Sequence, residues 1–274
     1  MGAIFITHPW EAGRDNCPDW DDAMAAIEPQ GVGEYTRRDT SHVDPNMRPT
    51  KEDYDRYIWL VQRGRRLGWD DEAMAEETPF RVGDPTMTFI FLRANRDLLA
   101  MCDAFGHDCG ELLGWIKILE AACEVLRNPD TGYFNGVNAN TGAHTGALSN
   151  ASFLCWYGGI DDERMGDALE RTFESCPYPI PSHAVGSSGF DPKRYWRGPT
   201  WAIVNALIGR GLEDMGHKDH AQRLRQATGD LIATYGFAEY FDPLTGEPAG
   251  GGTFTWTAAV WLAWASPSNG GRHG

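Results

Sequence analysis

Two apolar stripes separated by a short polar turn constrain this chain more than any other feature. Met87, Phe91, Ala94, Leu98 and Met101 recur at 4-3-4-3 spacing, the period of one helix face. Asp84-Pro85 in front supplies an N-cap and a proline at the first helical position, and Gly106 follows the end. Asp108, with Glu111 three residues on, then caps a second helix with the stripe Leu112, Ile116, Leu119, Cys123 and Leu126. Helices joined this closely fold as an antiparallel hairpin. The pattern returns in Trp201, Val204, Ile208 and Leu212, and again in Ala221, Leu224, Thr228, Leu231 and Tyr235, which Gly236 ends. Further helices are expected near 51–67, 162–174 and 255–265. Alternating β patterns are scarce, so the class is all-α with roughly eight helices. Between them run Gly- and Pro-rich loops at 28–50, 128–150 and 176–199, longer than connections in a compact domain need and therefore candidates for function.

Charge narrows the partners. The net charge of -15 repels phosphate backbones, so no nucleic-acid partner is expected. Basic residues are nearly all Arg, with four Lys. The six Cys form no CxxC pair, and Cys102, Cys123 and Cys155 sit in apolar stretches that read as buried free thiols. The opening MGAIFITHPW lacks the apolar run of a signal peptide, and no segment is apolar enough for a membrane span. The expectation is a soluble, reduced, cytoplasmic protein without a membrane partner. His217 and His220 lie three apart with no third ligand in view, and NPDTGYF (128–134) matches a calcium loop only in part, so no metal is expected. NPDTGYF and FDPLTGE (241–247) share an Asp/Pro…Thr-Gly signature read as tight turns. No glycine-rich phosphate loop occurs, and no cofactor is expected.

Chemistry concentrates in four stretches. HPWEAGRDNCPDWDD (8–22) holds five carboxylates, two tryptophans and an arginine. Asp15 lies there between Trp10 and Trp20, where aromatic surroundings strip hydration and raise a carboxyl pKa, as a general acid needs; the competing role is a helix cap or a partner for Arg14. YGFAEYF (235–241) places Glu239 just past a helix end among aromatics, where a carboxylate could activate water. YWRGPTW (195–201) surrounds Arg197 with rings suited to stacking on sugars, or to anchoring a loop on the core. DPNMRPTKEDY (44–54) offers Arg48 as a clamp for an anion.

Together these stretches resemble glycoside hydrolase family 63. HPWEAGRDNCPDWD is similar to that family's HPWE-G-DNSP-WD motif, and YWRGPTW, FAEYFDPLTGE and FTWTAA resemble its C-terminal signature, in the same order. The most similar branch is that of the small mannosylglycerate and glucosylglycerate hydrolases. The resemblance implies an (α/α)6 barrel and inverting hydrolysis of an α-glycosidic bond. Asp15 matches the general acid and Glu239 the general base, 224 residues apart. In an inverting enzyme such carboxyls stand roughly 6.5–9.5 Å apart, flanking the bond. The implied substrate-binding set is Trp10, Glu11, Arg14, Arg48, Tyr54, Tyr195, Trp196, Arg197, Gly198 and Trp201. The implied partner is a small carbohydrate with an anionic glycerate aglycone, and Arg48 is the cation expected to hold it. Cys17 stands where the family motif has Ser.

Twelve helices are expected of that barrel. Residues 1–266 are therefore read as one catalytic domain short of its first helices, and 267–274 as a disordered tail. Exposed helix faces would then favour weak stability, self-association into a homo-oligomer and reduced activity. Two other readings stand beside this one: an inactive remnant or carbohydrate-binding fragment, and a trehalase-like or debranching-type α-glucosidase acting on neutral saccharides.

Overall fold

A computed structural model describes residues 2–267. Nine α-helices dominate the described residues: α1 (Asp21–Ala25), α2 (Lys51–Arg66), α3 (Asp71–Glu77), α4 (Pro85–Phe105), α5 (Gly110–Leu126), α6 (Glu163–Ser175), α7 (Ala202–Asp214), α8 (Lys218–Tyr235) and α9 (Thr255–Val260), the last running into a π-helical turn at 261–265. Strands are two residues long. β1 (Phe5–Ile6) pairs antiparallel with β2 (Val82–Gly83), which pairs with β3 (Val137–Asn138); β4 (Tyr240–Phe241) pairs with β5 (Pro248–Ala249). The fold is thus mostly helical, as the periodicity implied. The expected disordered tail lies, apart from Pro267, outside the described residues.

Local chemistry sets the boundaries. Asp84 caps α4 by accepting Met87 N–H at 2.9 Å, with Pro85 next, and Gly106 ends the helix at φ 71°. Thr50 and Asp53 close a reciprocal capping box on α2. The second helix of the hairpin starts later than the sequence suggests. Its cap position is Cys109, and Asp108 accepts the Gly110 N–H in a turn instead. The two Thr-Gly segments are tight turns: Asn128 accepts Asp130 N–H, and Asp242 accepts those of Leu244 and Thr245.

The stripe that announces α4 points outward. Phe91, Leu98 and Met101 are exposed, as is Phe105 one turn on, while Phe89, Leu92 and Cys102 are buried. The helix is apolar on two faces, and periodicity cannot say which one packs. α5 buries the expected Leu112, Ile116, Leu119, Cys123 and Leu126. Cys102 is not a free thiol: it forms a disulfide with Cys109 across the hairpin turn, a bond uncommon in reducing compartments. Cys17, Cys123, Cys155 and Cys176 are free and buried. No helix among the described residues is long and apolar enough to cross a membrane.

α4 packs on α5 and on a 3-10 turn at 152–155; that turn packs on α7, and α7 on α8 and α9. The core carries Trp20, Tyr57, Phe80, Phe89, Trp156, Trp201 and Tyr240, each 2 % exposed or less. Two links position the first twenty residues. β1 pairs with β2, and Asp84 N–H donates to Ile4 O at 2.9 Å, so the N-terminal loop is held at the head of α4.

Candidate active site

Asp15 sits at the bend between two 3-10 turns, Pro9–Ala12 and Pro18–Trp20. Gly13 ends the first at φ 66°, and Asn16 follows Asp15 in the same left-handed region at φ 63°, unusual for a residue with a side chain. Three bonds hold Asn16 there. Its N–H donates to Tyr57 Oη at 2.9 Å, its Nδ2 donates to Asp53 at 3.0 Å, and its carbonyl accepts from Arg197 at 3.4 Å. Below the bend, Arg14 is 2 % exposed and ion-paired with Asp84 at 2.9 Å and Asp19 at 3.2 Å. Arg14, expected to contact substrate, is therefore the buried strut of the loop. Its guanidinium balances two carboxylates that could not be buried alone.

Burial pushes the Asp15 carboxyl up from 3.8 to about 6; the Arg48 charge opposes this, and the charges of Asp39 and Glu239 add to it. Glu239 approaches from the opposite end of the chain. Gly236 ends α8, β4 begins at Tyr240, and Glu239 lies between them, 6 % exposed. Its N–H donates to Gly251 O, and Gly251 N–H returns to its Oε2, both at 2.8 Å. Gly250 leaves the room for this: a Cβ there would stand 2.4 Å from Oε2.

Arg48 is not an open clamp. Its two Nη atoms donate to Glu239, to Oε1 at 3.2 Å and Oε2 at 2.7 Å, and its guanidinium lies 4.4 Å over the Tyr195 ring. Burial opposes its charge, yet the hydrogen bond and charge of Glu239 raise its pKa. Tyr195 is pushed well above its usual value by burial first, then by the Asp15 charge. Asp15, Arg48, Tyr195 and Glu239 thus share one local field.

The remaining expected residues divide. Trp10 is 40 % exposed and presents a ring surface; His8 at 4.6 Å, Tyr57 at 5.7 Å and Tyr54 at 6.1 Å pack against it. Burial lowers the His8 pKa to about 4; its ring accepts Trp10 N–H and bonds Tyr57 O. Tyr54 is partly buried, stacked on Tyr35 and covered by Arg37 at 4.1 Å, while Arg37 also pairs with Asp39. Glu11 accepts from Thr7 at the loop surface.

Trp196 and Trp201 stack face to face at 4.0 Å, only 4 % and 2 % exposed. They anchor the 176–199 loop on the core and leave little surface for a sugar. Arg197 grips Asp21 at 2.6 Å and bonds Gly189 O and Asn16 O, tying that loop to the Asp15 bend. Gly198 permits close approach, since a Cβ would meet Asp191 O at 2.5 Å. Asp39, Asp53, Tyr57, Gly250 and Gly251 also belong to the site, although the motifs do not single them out. Only the three-residue spacing of Tyr54 and Tyr57 on a helix hinted at a shared face. His217 and His220 pair with Asp161 and Glu170, and the described residues hold no cluster of His, Cys, Asp or Glu placed to hold a metal.

The model of the mannosylglycerate hydrolase MGH1-like glycoside hydrolase domain matches residues 1–257. The chain is 39 % identical over 269 residues to mannosylglycerate hydrolase MGH1 of Selaginella moellendorffii, covering 96 % of this chain and 55 % of that protein. It is 33 % identical over 279 residues to the glucosylglycerate hydrolase of Mycolicibacterium hassiacum, covering 96 % and 62 %. The fold superimposes on a crystal structure of the family 63 mannosylglycerate hydrolase of Thermus thermophilus in complex with Tris and D-glycerate. That match has a TM-score of 0.91 and 37 % identity, over 95 % of this chain and 65 % of that one. The chain therefore spans about 55–65 % of the length of these relatives.

Proposed function

The chain belongs to the mannosylglycerate hydrolase MGH1-like glycoside hydrolase family, and from that premise we propose that it is the acid- and base-bearing part of an inverting α-glycosidase built on an (α/α)6 toroid. Asp15 is the general acid. Burial raises its pKa to about 6, so its protonated form persists toward neutral pH and gives its proton to the glycosidic oxygen. Glu239 is the general base. Oε2 carries both Gly251 N–H and an Arg48 donor, whereas Oε1 has a single donor at 3.2 Å. Oε1 is the less occupied oxygen, and it is the atom that takes the proton of the attacking water. The sugar lies on the Trp10 face. The raised Asp15 beside the Arg48–Glu239 pair is the observation that carries this reading.

By kinship the substrate is a hexose joined to glycerate, since proteins with these names share a third or more of the sequence. A second reading has its own support. Both Nη donors of Arg48 lie on Glu239, so holding a glycerate carboxylate competes with holding the base. A neutral α-glucoside would not compete. Glucosylglycerate against its uncharged glycerol analogue separates the two. The exposed α4 stripe of Phe91, Leu98, Met101 and Phe105 is the face on which a homo-oligomer would form.

A glycosyl fluoride tests the acid assignment, because fluoride leaves without protonation. Asp15→Asn should lose hydrolysis of the glycerate glycoside and keep that of the α-glycosyl fluoride. Equal loss of both would remove Asp15 from the acid role.

A further inference from the structure

We infer that the first turns of α2 act as the spacer between the two carboxyls, with Asp53 and Tyr57 as positioning residues for Asp15. This inference rests on the functional reading above and deepens it. The same helix start reaches both sides of the site. Arg48, two residues before the Thr50 cap, grips Glu239. One turn on, Asp53 Oδ2 accepts from Asn16 Nδ2 at 3.0 Å, and one further turn along, Tyr57 Oη accepts Asn16 N–H at 2.9 Å. Asp15 is bonded to Asn16 through the chain, so the rotation of the Asn16 peptide sets where its carboxyl points.

The coupling is built into the cap. The Asp53 oxygen that holds Asn16 also accepts Thr50 N–H at 2.9 Å and Thr50 Oγ1 at 2.8 Å. The helix thus begins where the acid loop is held, and loosening one loosens the other. Asn16 keeps φ 63°, a left-handed conformation that asparagine tolerates better than most residues with a side chain, and the two bonds to α2 fix its orientation there. Tyr57 is 2 % exposed, and its backbone carbonyl bonds His8, whose ring packs on Trp10. One helix therefore orients the acid, the ion pair on the base and the sugar platform. Tyr57 and Asp53 have no role as proton donors here; they act through Asn16.

Two variants test this. Tyr57→Phe keeps the buried ring and removes the acceptor for Asn16 N–H. Asn16→Gly keeps the positive φ without strain and removes the tie to Asp53. Carboxyl-carbon NMR of aspartate-labelled protein, assigned with Asp15→Asn, follows the Asp15 titration directly. Both variants should let water reach the carboxyl and lower its midpoint by about one unit. In a chain that releases hexose, kcat should fall on the order of tenfold to a hundredfold with KM within about twofold. An unchanged midpoint in either variant overturns the inference. The titration needs no turnover, so an inactive parent chain would count against the proposed function and leave this test standing.

Discussion

Replacing Arg48 by Met should destabilise the protein through Glu239 rather than through Arg48 itself. The pair is buried at both ends, 8 % and 6 % exposed, with contacts of 2.7 and 3.2 Å. Removing one partner of a buried ion pair costs about 3–5 kcal/mol, because the other charge is left in a poorly solvated place. Gly251 N–H still reaches Oε2 at 2.8 Å, which places the cost near the lower end, about 3 kcal/mol. For a domain of this size that corresponds to a fall in Tm of roughly 6 °C. Thermal unfolding followed by tryptophan fluorescence reads it. Glu239→Gln in the Arg48→Met background removes the stranded charge, so the double variant should recover more than half of the loss. A fall below about 1 °C, or losses that simply add, would refute the claim that Arg48 is committed to the base.

The other predictions concern Asp15, the Glu239 pocket and the disulfide. The folded pKa of Asp15 is raised from 3.8 to about 6, so its contribution to stability is full below pH 3.8 and is lost as pH rises through 6. Asp15→Asn should therefore be more stable than the parent at pH 7, by on the order of 2 kcal/mol; equal denaturation midpoints at pH 4 and pH 7 in the two proteins would contradict this. Gly250→Ala puts a Cβ 2.4 Å from Glu239 Oε2 at φ 70°, and kcat should fall about a hundredfold; unimpaired turnover would show that the Glu239 position is not critical. Thiol titration in denaturant without reductant should find four free cysteines, Cys17, Cys123, Cys155 and Cys176, and finding six would contradict the Cys102–Cys109 bond.

The helices were legible because caps and period agree. Asp84-Pro85 and Gly106 bracket α4 as the sequence implied. The direction of α4 was not legible, since Phe91 and Phe89 are equally apolar and only packing against neighbours decides which is buried. The site follows the same logic. The motifs bring Asp15 and Glu239 into one electrostatic neighbourhood. Motif membership does not say whether a side chain faces a pocket or the core, so Arg14, Trp196 and Trp201 are buried supports. The roles of Asp53 and Tyr57 depend on hydrogen bonds across about forty residues to Asn16, which no local pattern encodes. The charge of Arg48 is visible in the sequence, but its partner lies 191 residues away.

Asp15 and Glu239 are proposed to perform an inverting hydrolysis together. Proton NMR of the anomeric region tests it most directly, with the chain given glucosylglycerate and mannosylglycerate and Asp15→Asn as control. Free hexose should appear first as the β-anomer, from one or both compounds, and the variant should release none. An α-anomer appearing first, or no hexose from either compound, would contradict it.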